Sequence, residues 1–117
     1  MRVATAVAER DEPAASELDA LAAKAREASD FLKALAHQSR LMILRFLCEG
    51  EKSVTELEHL LALRQPTVSQ QLARLRTDGL VNARRDGKTI YYSLASEDVR
   101  IILDAVERVF CRERLNG

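Results

Sequence analysis

Residues 65–76 read Gln65-Pro66-Thr67-Val68-Ser69-Gln70-Gln71-Leu72-Ala73-Arg74-Leu75-Arg76, and the spacing of the apolar members decides the fold. Val68, Leu72 and Leu75 stand at i, i+4 and i+7, so on a helix they fall within about 60° of one another and form one buried face. Pro66 belongs in the first helical turn, where the amide it lacks would have no intrahelical partner. Asp78-Gly79 ends the segment. Upstream, Ser53-Val54-Thr55-Glu56 fits a capping box, a hydroxyl and a carboxyl three residues apart satisfying orphan amides at a helix start. The helix it opens runs to about Leu61, and the break over residues 62–65 is short. Two helices joined by so brief a link read as a helix-turn-helix.

Moving outward, residues 81–85 and 88–94 are β-like and are separated by Asp86-Gly87, a strong hairpin signal when both central residues take positive φ. That register sets Arg85 opposite Lys88, Arg84 opposite Thr89, Ala83 opposite Ile90 and Val81 opposite Tyr92. Ser96 caps a last helix whose Val99, Ile102, Leu103, Val106, Val109 and Phe110 form one apolar stripe. Before the helix-turn-helix, residues 39–49 form a helix with Leu41, Leu44, Leu47 and Cys48 on one face, ended by Gly50. Earlier still, Leu18, Leu21, Ala25, Ala28, Leu32 and Leu35 mark an amphipathic helix over residues 14 to about 35. Residues 1–13 are expected to be a disordered tail, and residues 14–117 one domain. The fold class is α+β and mainly helical: four helices, a β-hairpin and a C-terminal helix.

The helix over residues 66–78 carries an unusual outer face. Thr67, Gln70, Arg74 and Thr77 oppose the buried stripe, with Ser69 and Gln71 at its flanks and no acid before Asp78. Gln pairs bidentately with adenine, Ser and Thr reach bases or phosphates, and Arg reaches guanine or the backbone. A plain polar face would also fit this composition. Charge distribution adds weight to the nucleic-acid reading. The chain holds 18 basic and 18 acidic residues, yet residues 64–92 carry six bases (Arg64, Arg74, Arg76, Arg84, Arg85 and Lys88) against Asp78 and Asp86, a local net of +4. Such a stretch on an otherwise acidic chain is what a polyanion-binding face leaves, although charge runs are commonly just solvated surface. Arg84, Arg85 and Lys88 crowded at a hairpin tip make sense when phosphates occupy the space around them.

Other classes are disfavoured. No apolar run reaches membrane-spanning length, and Glu9, Arg10, Asp11 and Glu12 interrupt any leader-like stretch, so the expected location is the cytoplasm. There Cys48 and Cys111 would stay reduced rather than form a permanent staple. An enzyme is the least favoured reading: the sequence has no Gly-rich phosphate loop and no His-paired nucleophile. No cofactor is expected. A winged-helix module that serves protein contacts is the rival from another class.

The chain resembles the ArsR/SmtB family of winged-helix repressors. The resemblance rests on Leu32-Lys33-Ala34-Leu35-Ala36-His37-Gln38-Ser39-Arg40-Leu41-Met42-Ile43-Leu44, on residues 65–76 quoted above, on Asp78-Gly79-Leu80-Val81, and on Arg84-Arg85-Asp86-Gly87-Lys88-Thr89-Ile90-Tyr91-Tyr92. It implies a homodimer joined through the first and last helices, double-stranded DNA with a pseudo-palindromic operator as partner, and a recognition helix in each of two major grooves. By the same resemblance Pro66, Thr67, Ser69, Gln70 and Gln71 face the bases and the wing residues Arg84, Arg85 and Lys88 grip the backbone; Gln65 and Arg74 complete the expected DNA-binding set. No metal is expected. Where the family's metal sensors place a Cys-x-Cys pair this chain has Ser53 and Thr55, and of the last-helix ligands only Asp98 matches, with Arg100, Cys111 and Arg114 elsewhere. His37 and His59 are isolated in sequence. The closest likeness is to the thiol and persulfide-sensing branch (BigR/SqrR/SoxR/HlyU-like), which implies a redox pair of Cys48 and Cys111 linked directly or through sulfur. Cys111 matches its family position, whereas Arg45 holds the other and Cys48 lies one turn later. The alternative keeps both thiols as inert core residues and assigns another inducer.

Overall fold

A computed structural model describes residues 14–111; the expected tail over residues 1–13 and the position of Arg114 lie outside it. The elements in order are α1 (Ala15–Leu35), α2 (Gln38–Leu47), β1 (Lys52–Ser53), α3 (Val54–Leu61), α4 (Gln65–Thr77), β2 (Val81–Asp86), β3 (Thr89–Leu94) and α5 (Glu97–Phe110). Two compact units meet within α1, one ending at Leu32 and the other beginning at Lys33. In the first, Leu18, Leu21 and Leu32 of the helical stripe are exposed.

The second unit holds the core, and its members follow from helical spacing. Fully buried are Ile43, Leu44 and Leu47 of α2, Leu57 of α3, Val68, Leu72 and Leu75 of α4 and Val99 of α5. Burying one such side chain is worth roughly 1.5–3 kcal/mol, so the three α4 residues alone tie that helix firmly to its backing. The last helix behaves differently from its sequence stripe. Val99 and Leu103 are buried, whereas Val109 is 54% and Phe110 80% exposed, so half of its apolar face is left uncovered in the single chain.

Local chemistry sets the element ends. The capping box forms as expected: Glu56 N–H donates to Ser53 Oγ at 3.1 Å and Ser53 N–H to Glu56 Oε1 at 3.0 Å. The turn of the helix-turn-helix is made by Ala62, a left-handed residue with φ 54° whose Cβ crowding costs about 1 kcal/mol. Helix α4 closes with Leu80 N–H donating to Leu75 O at 2.9 Å and Gly79 N–H to Arg76 O at 3.0 Å, a Schellman motif with Gly79 at φ 77°.

The three strands form an antiparallel sheet in the order β1-β3-β2. Strand β1 was not legible in the sequence, because two residues carry no periodicity. The hairpin corrects the expected register. Asp86 pairs with Thr89, Arg85 with Ile90, Arg84 with Tyr91, Ala83 with Tyr92 and Val81 with Leu94, so the turn residues are Gly87-Lys88 rather than Asp86-Gly87. Only Gly87 has positive φ there, 63°, which is what a type II′ turn requires at its first central position; the expected type I′ turn needs a second such residue. The shift is two places, so the faces are kept: Val81 is buried and Ala83 and Tyr92 half-buried on one side, while Ile90 on that side is exposed. The expected apposition of Arg85 and Lys88 does not occur.

Leu72→Ala should lower unfolding free energy by about 2–5 kcal/mol, while Gln70→Ala on the outer face of the same helix changes it by less than about 0.5 kcal/mol. Urea denaturation of the two variants checks the assignment, and equal losses would contradict it.

Candidate nucleic-acid interface

Helix α4 presents the outer face that its pattern demands. Pro66, Thr67, Gln70, Arg74 and Thr77 are exposed, Ser69 and Gln71 are half-buried at the flanks, and Gln65 is the first residue of the helix. The helix begins without a side-chain cap on Arg64 and without an acid in its first turn. The partial positive charge of its N-terminus therefore faces outward uncompensated, favouring an anion.

Several of the polar groups around this face are already engaged within the fold. Arg40 of α2 donates through Nε to Gln71 Oε1 at 2.9 Å and through Nη1 to the Ala34 carbonyl at 3.1 Å. Gln71 thus has its amide oxygen committed and keeps only its NH2 group for another acceptor. Arg74 pairs with Asp78 one turn on at 3.3 Å and remains well exposed. Arg84 forms a two-pronged pair with Glu51, Nη2 to Oε1 at 2.6 Å and Nε to Oε2 at 3.1 Å, with its guanidinium 4.8 Å from the centre of the Tyr91 ring. Arg85 donates through Nε to the Gly87 carbonyl at 3.1 Å, and Lys88 stands exposed at the tip. The Glu51 pairing lowers that carboxyl below its ordinary range through the hydrogen bonds from Arg84. Sequence reading missed Arg40 and Glu51, since nothing in linear spacing signals partners 31 and 33 residues away. Arg64 and Arg76, exposed at the two ends of α4, extend the basic surface; their signal was the local charge count.

The two thiols lie along the seam between α2 and α5. Cys48 follows the last turn of α2, its carbonyl accepting from Arg100 Nη1 at 2.5 Å. Burial pushes its thiol up from the ordinary value, with Arg100 acting in the opposite direction. Cys111 lines a groove of about 420 Å3 with Leu41, Met42, Phe46, Val106 and Phe110. At the position expected for a family cysteine, Arg45 grips Glu107, Nε to Oε2 at 2.9 Å and Nη2 to Oε1 at 3.0 Å. Among the described residues no three His, Cys, Asp or Glu side chains cluster as a metal would need, and no helix is long and apolar enough to cross a membrane. His37 and His59 are both exposed.

The model of bacterial regulatory proteins of the arsR family matches residues 37–83. A biofilm growth-associated repressor of Agrobacterium fabrum is 44% identical over 99 residues, which is 85% of each chain. The chain belongs to the ArsR family. Reduced HlyU from Vibrio cholerae has a fold similar to that of this family member, with a TM-score of 0.74 and 41% identity over 78% of this chain and 96% of that one. The homodimeric winged helix-turn-helix DNA-binding domain Mb0332 from Mycobacterium bovis aligns with a TM-score of 0.73 and 34% identity, covering 85% and 92%. This ArsR protein is accordingly a winged helix-turn-helix transcriptional regulator and not an enzyme, with α4 as the second helix of the motif and β2–β3 as the wing.

The Arg40 bridge should hold α4 at its angle on α2. Arg40→Ala and Gln71→Ala should each cost about 1–2 kcal/mol, and the double variant should lose less than their sum, a coupling near 1 kcal/mol in urea unfolding. Additive losses would mean that the two side chains act independently.

Proposed function

We propose that this ArsR-family chain is a homodimeric repressor that binds a pseudo-palindromic operator and leaves it when Cys48 and Cys111 become linked. The observation that carries the DNA reading is the division of α4 into a fully buried apolar face and an outer face of amides, hydroxyls and one arginine. Such a helix enters a major groove without giving up core packing, and its side chains match the donor and acceptor code there. Pro66, Thr67, Ser69, Gln70 and Gln71 face the bases; Arg74, Arg84, Arg85 and Lys88 hold the backbone. Exposed Leu18, Leu21 and Leu32 on α1, and Val109 and Phe110 on α5, supply apolar surface for a second subunit. Dimerisation sets the two reading helices about one helical turn of DNA apart.

The switch places its chemistry in the α2–α5 seam. Two S–H bonds are lost and one S–S bond, or a chain of added sulfur atoms, is gained; two electrons and two protons pass to a polysulfide or peroxide oxidant. The thiols flank the Arg45–Glu107 pair, so joining them displaces α5 along α2, and α2 is the helix that carries Arg40 and backs α4. A second reading keeps DNA binding and treats both cysteines as inert, with another inducer. It is favoured by the same ion pair at the family cysteine position and by the upward pull of burial on the Cys48 thiol.

Footprinting and competition assays should show Gln70→Ala relaxing base preference, and Arg85→Ala weakening all sequences while flattening the salt dependence by about 0.9 in log–log slope. Unchanged sequence preference in Gln70→Ala would remove α4's outer face from the reading role, and salt-insensitive binding would favour a protein-contact module. For the switch, intact mass after polysulfide or peroxide treatment should show two hydrogens lost, or sulfur gained within one chain, in step with operator release. Release by unmodified protein would leave the inert-thiol reading standing.

A further inference from the structure

We propose that Glu51 is an internal stand-in for a DNA phosphate: it occupies Arg84 in the free protein, and DNA must displace it before the wing can close on the backbone. This rests on the DNA-binding reading above and assigns a regulator of affinity to a residue outside the helix-turn-helix. The pairing has the geometry of phosphate recognition, two N–H groups of one guanidinium each meeting a different oxygen of one anion, at 2.6 and 3.1 Å.

The sheet register explains why the two meet. Arg84 of β2 is paired with Tyr91 of β3, and Tyr91 is paired on its other side with Ser53 of β1. Paired residues share a face, and Glu51 precedes Ser53 by two, the spacing that returns to the same face. The guanidinium therefore crosses the Tyr91 ring, 4.8 Å from its centre, to reach a carboxylate at the opposite edge of the same face. Tyr91 lies under the guanidinium, and this aromatic contact survives an exchange of one anion for another.

Accessibility makes the exchange feasible. The Arg84 and Glu51 side chains keep 54% and 35% of their exposure, so an incoming phosphate meets the guanidinium without prior unfolding. Among the described residues, Arg85 and Lys88 form no ion pair, and Arg84 is the wing cation that is neutralised in the resting protein. Exposed pairs are weak, so Glu51 is a brake worth a few-fold in affinity rather than a lock. Its effect falls equally on every DNA sequence, because a phosphate contact carries no base information.

The test is a double-variant cycle read by fluorescence anisotropy on a labelled duplex of random sequence, across a salt series. Glu51→Gln preserves shape and removes the charge, and should bind roughly two- to fivefold tighter than wild type at low salt. Arg84→Ala should bind more weakly than wild type, and adding Glu51→Gln to it should recover little. An equal gain with and without Arg84 would reduce Glu51 to general repulsion of DNA and overturn the proposal. No gain, or a loss, in Glu51→Gln with a normal thermal transition would overturn it too. If Glu51→Gln loosens the wing, the wild-type protein still decides the matter by nuclear magnetic resonance: the Arg84 Nε–H signal should move on adding duplex as its partner changes, and a fixed signal in the bound state counts against exchange. Wild-type protein that binds no duplex at any salt would instead remove the DNA reading itself.

Discussion

The constraint on which the rest depends is the complete burial of one side of α4. Val68, Leu72 and Leu75 have no accessible surface, and they pack in a core with Ile43 and Leu44 of α2 and Leu57 of α3. A helix anchored by its apolar face has freedom to place polar side chains on the other without cost to the core. The remaining supports act on its ends. The left-handed Ala62 turns the chain from α3 into α4, and the Schellman closure at Gly79 directs it back into β2, where Leu80 and Val81 return to the core. The outer face of α4 and the wing are therefore fixed to the same packed unit.

Around that unit, cations are distributed between internal and external work. Arg40 is turned inward and ties α2, α4 and the end of α1 through hydrogen bonds. Arg84 is held by Glu51 over Tyr91 and stays partly exposed. Arg85 and Lys88 are directed to the wing tip, where the II′ turn keeps their Cα positions out of register with each other. A count of basic residues alone treats these as equivalent. Their partners separate them into one structural cation, one paired at the surface and two that form no ion pair among the described residues.

The seam between α2 and α5 links this apparatus to any chemistry at the thiols. Arg45 and Glu107 bind the two helices at the middle of the seam, and Arg100 reaches the Cys48 carbonyl near one end. The ion pair also lines the groove beside Cys111, together with the uncovered Phe110. Along α2 these polar contacts therefore stand beside a buried apolar row of Ile43, Leu44 and Leu47.

Much of this was legible in the chain itself. Helical spacing located α1 to α5, and the Ser53–Glu56 box set the start of α3 to the residue, because local periodicity and capping depend on neighbours within a turn. The outer face of α4 was also legible, since its residue types are unusual for mere solubility. What tertiary structure decided were the long-range partners. The spacing of α4 puts Gln71 at the flank of the outer face, yet only the fold shows its oxygen held by Arg40; the charge count places Arg84 on the wing, yet only the fold shows it paired with Glu51. The hairpin register depended on which residue took positive φ, and strand β1 exists only because β3 offers a ladder beside it. Sequence spacing reports which side of an element a residue occupies; only the folded chain decides what stands opposite, because hydrogen bonds and ion pairs act over a few ångströms between segments whose separation along the chain carries no such information.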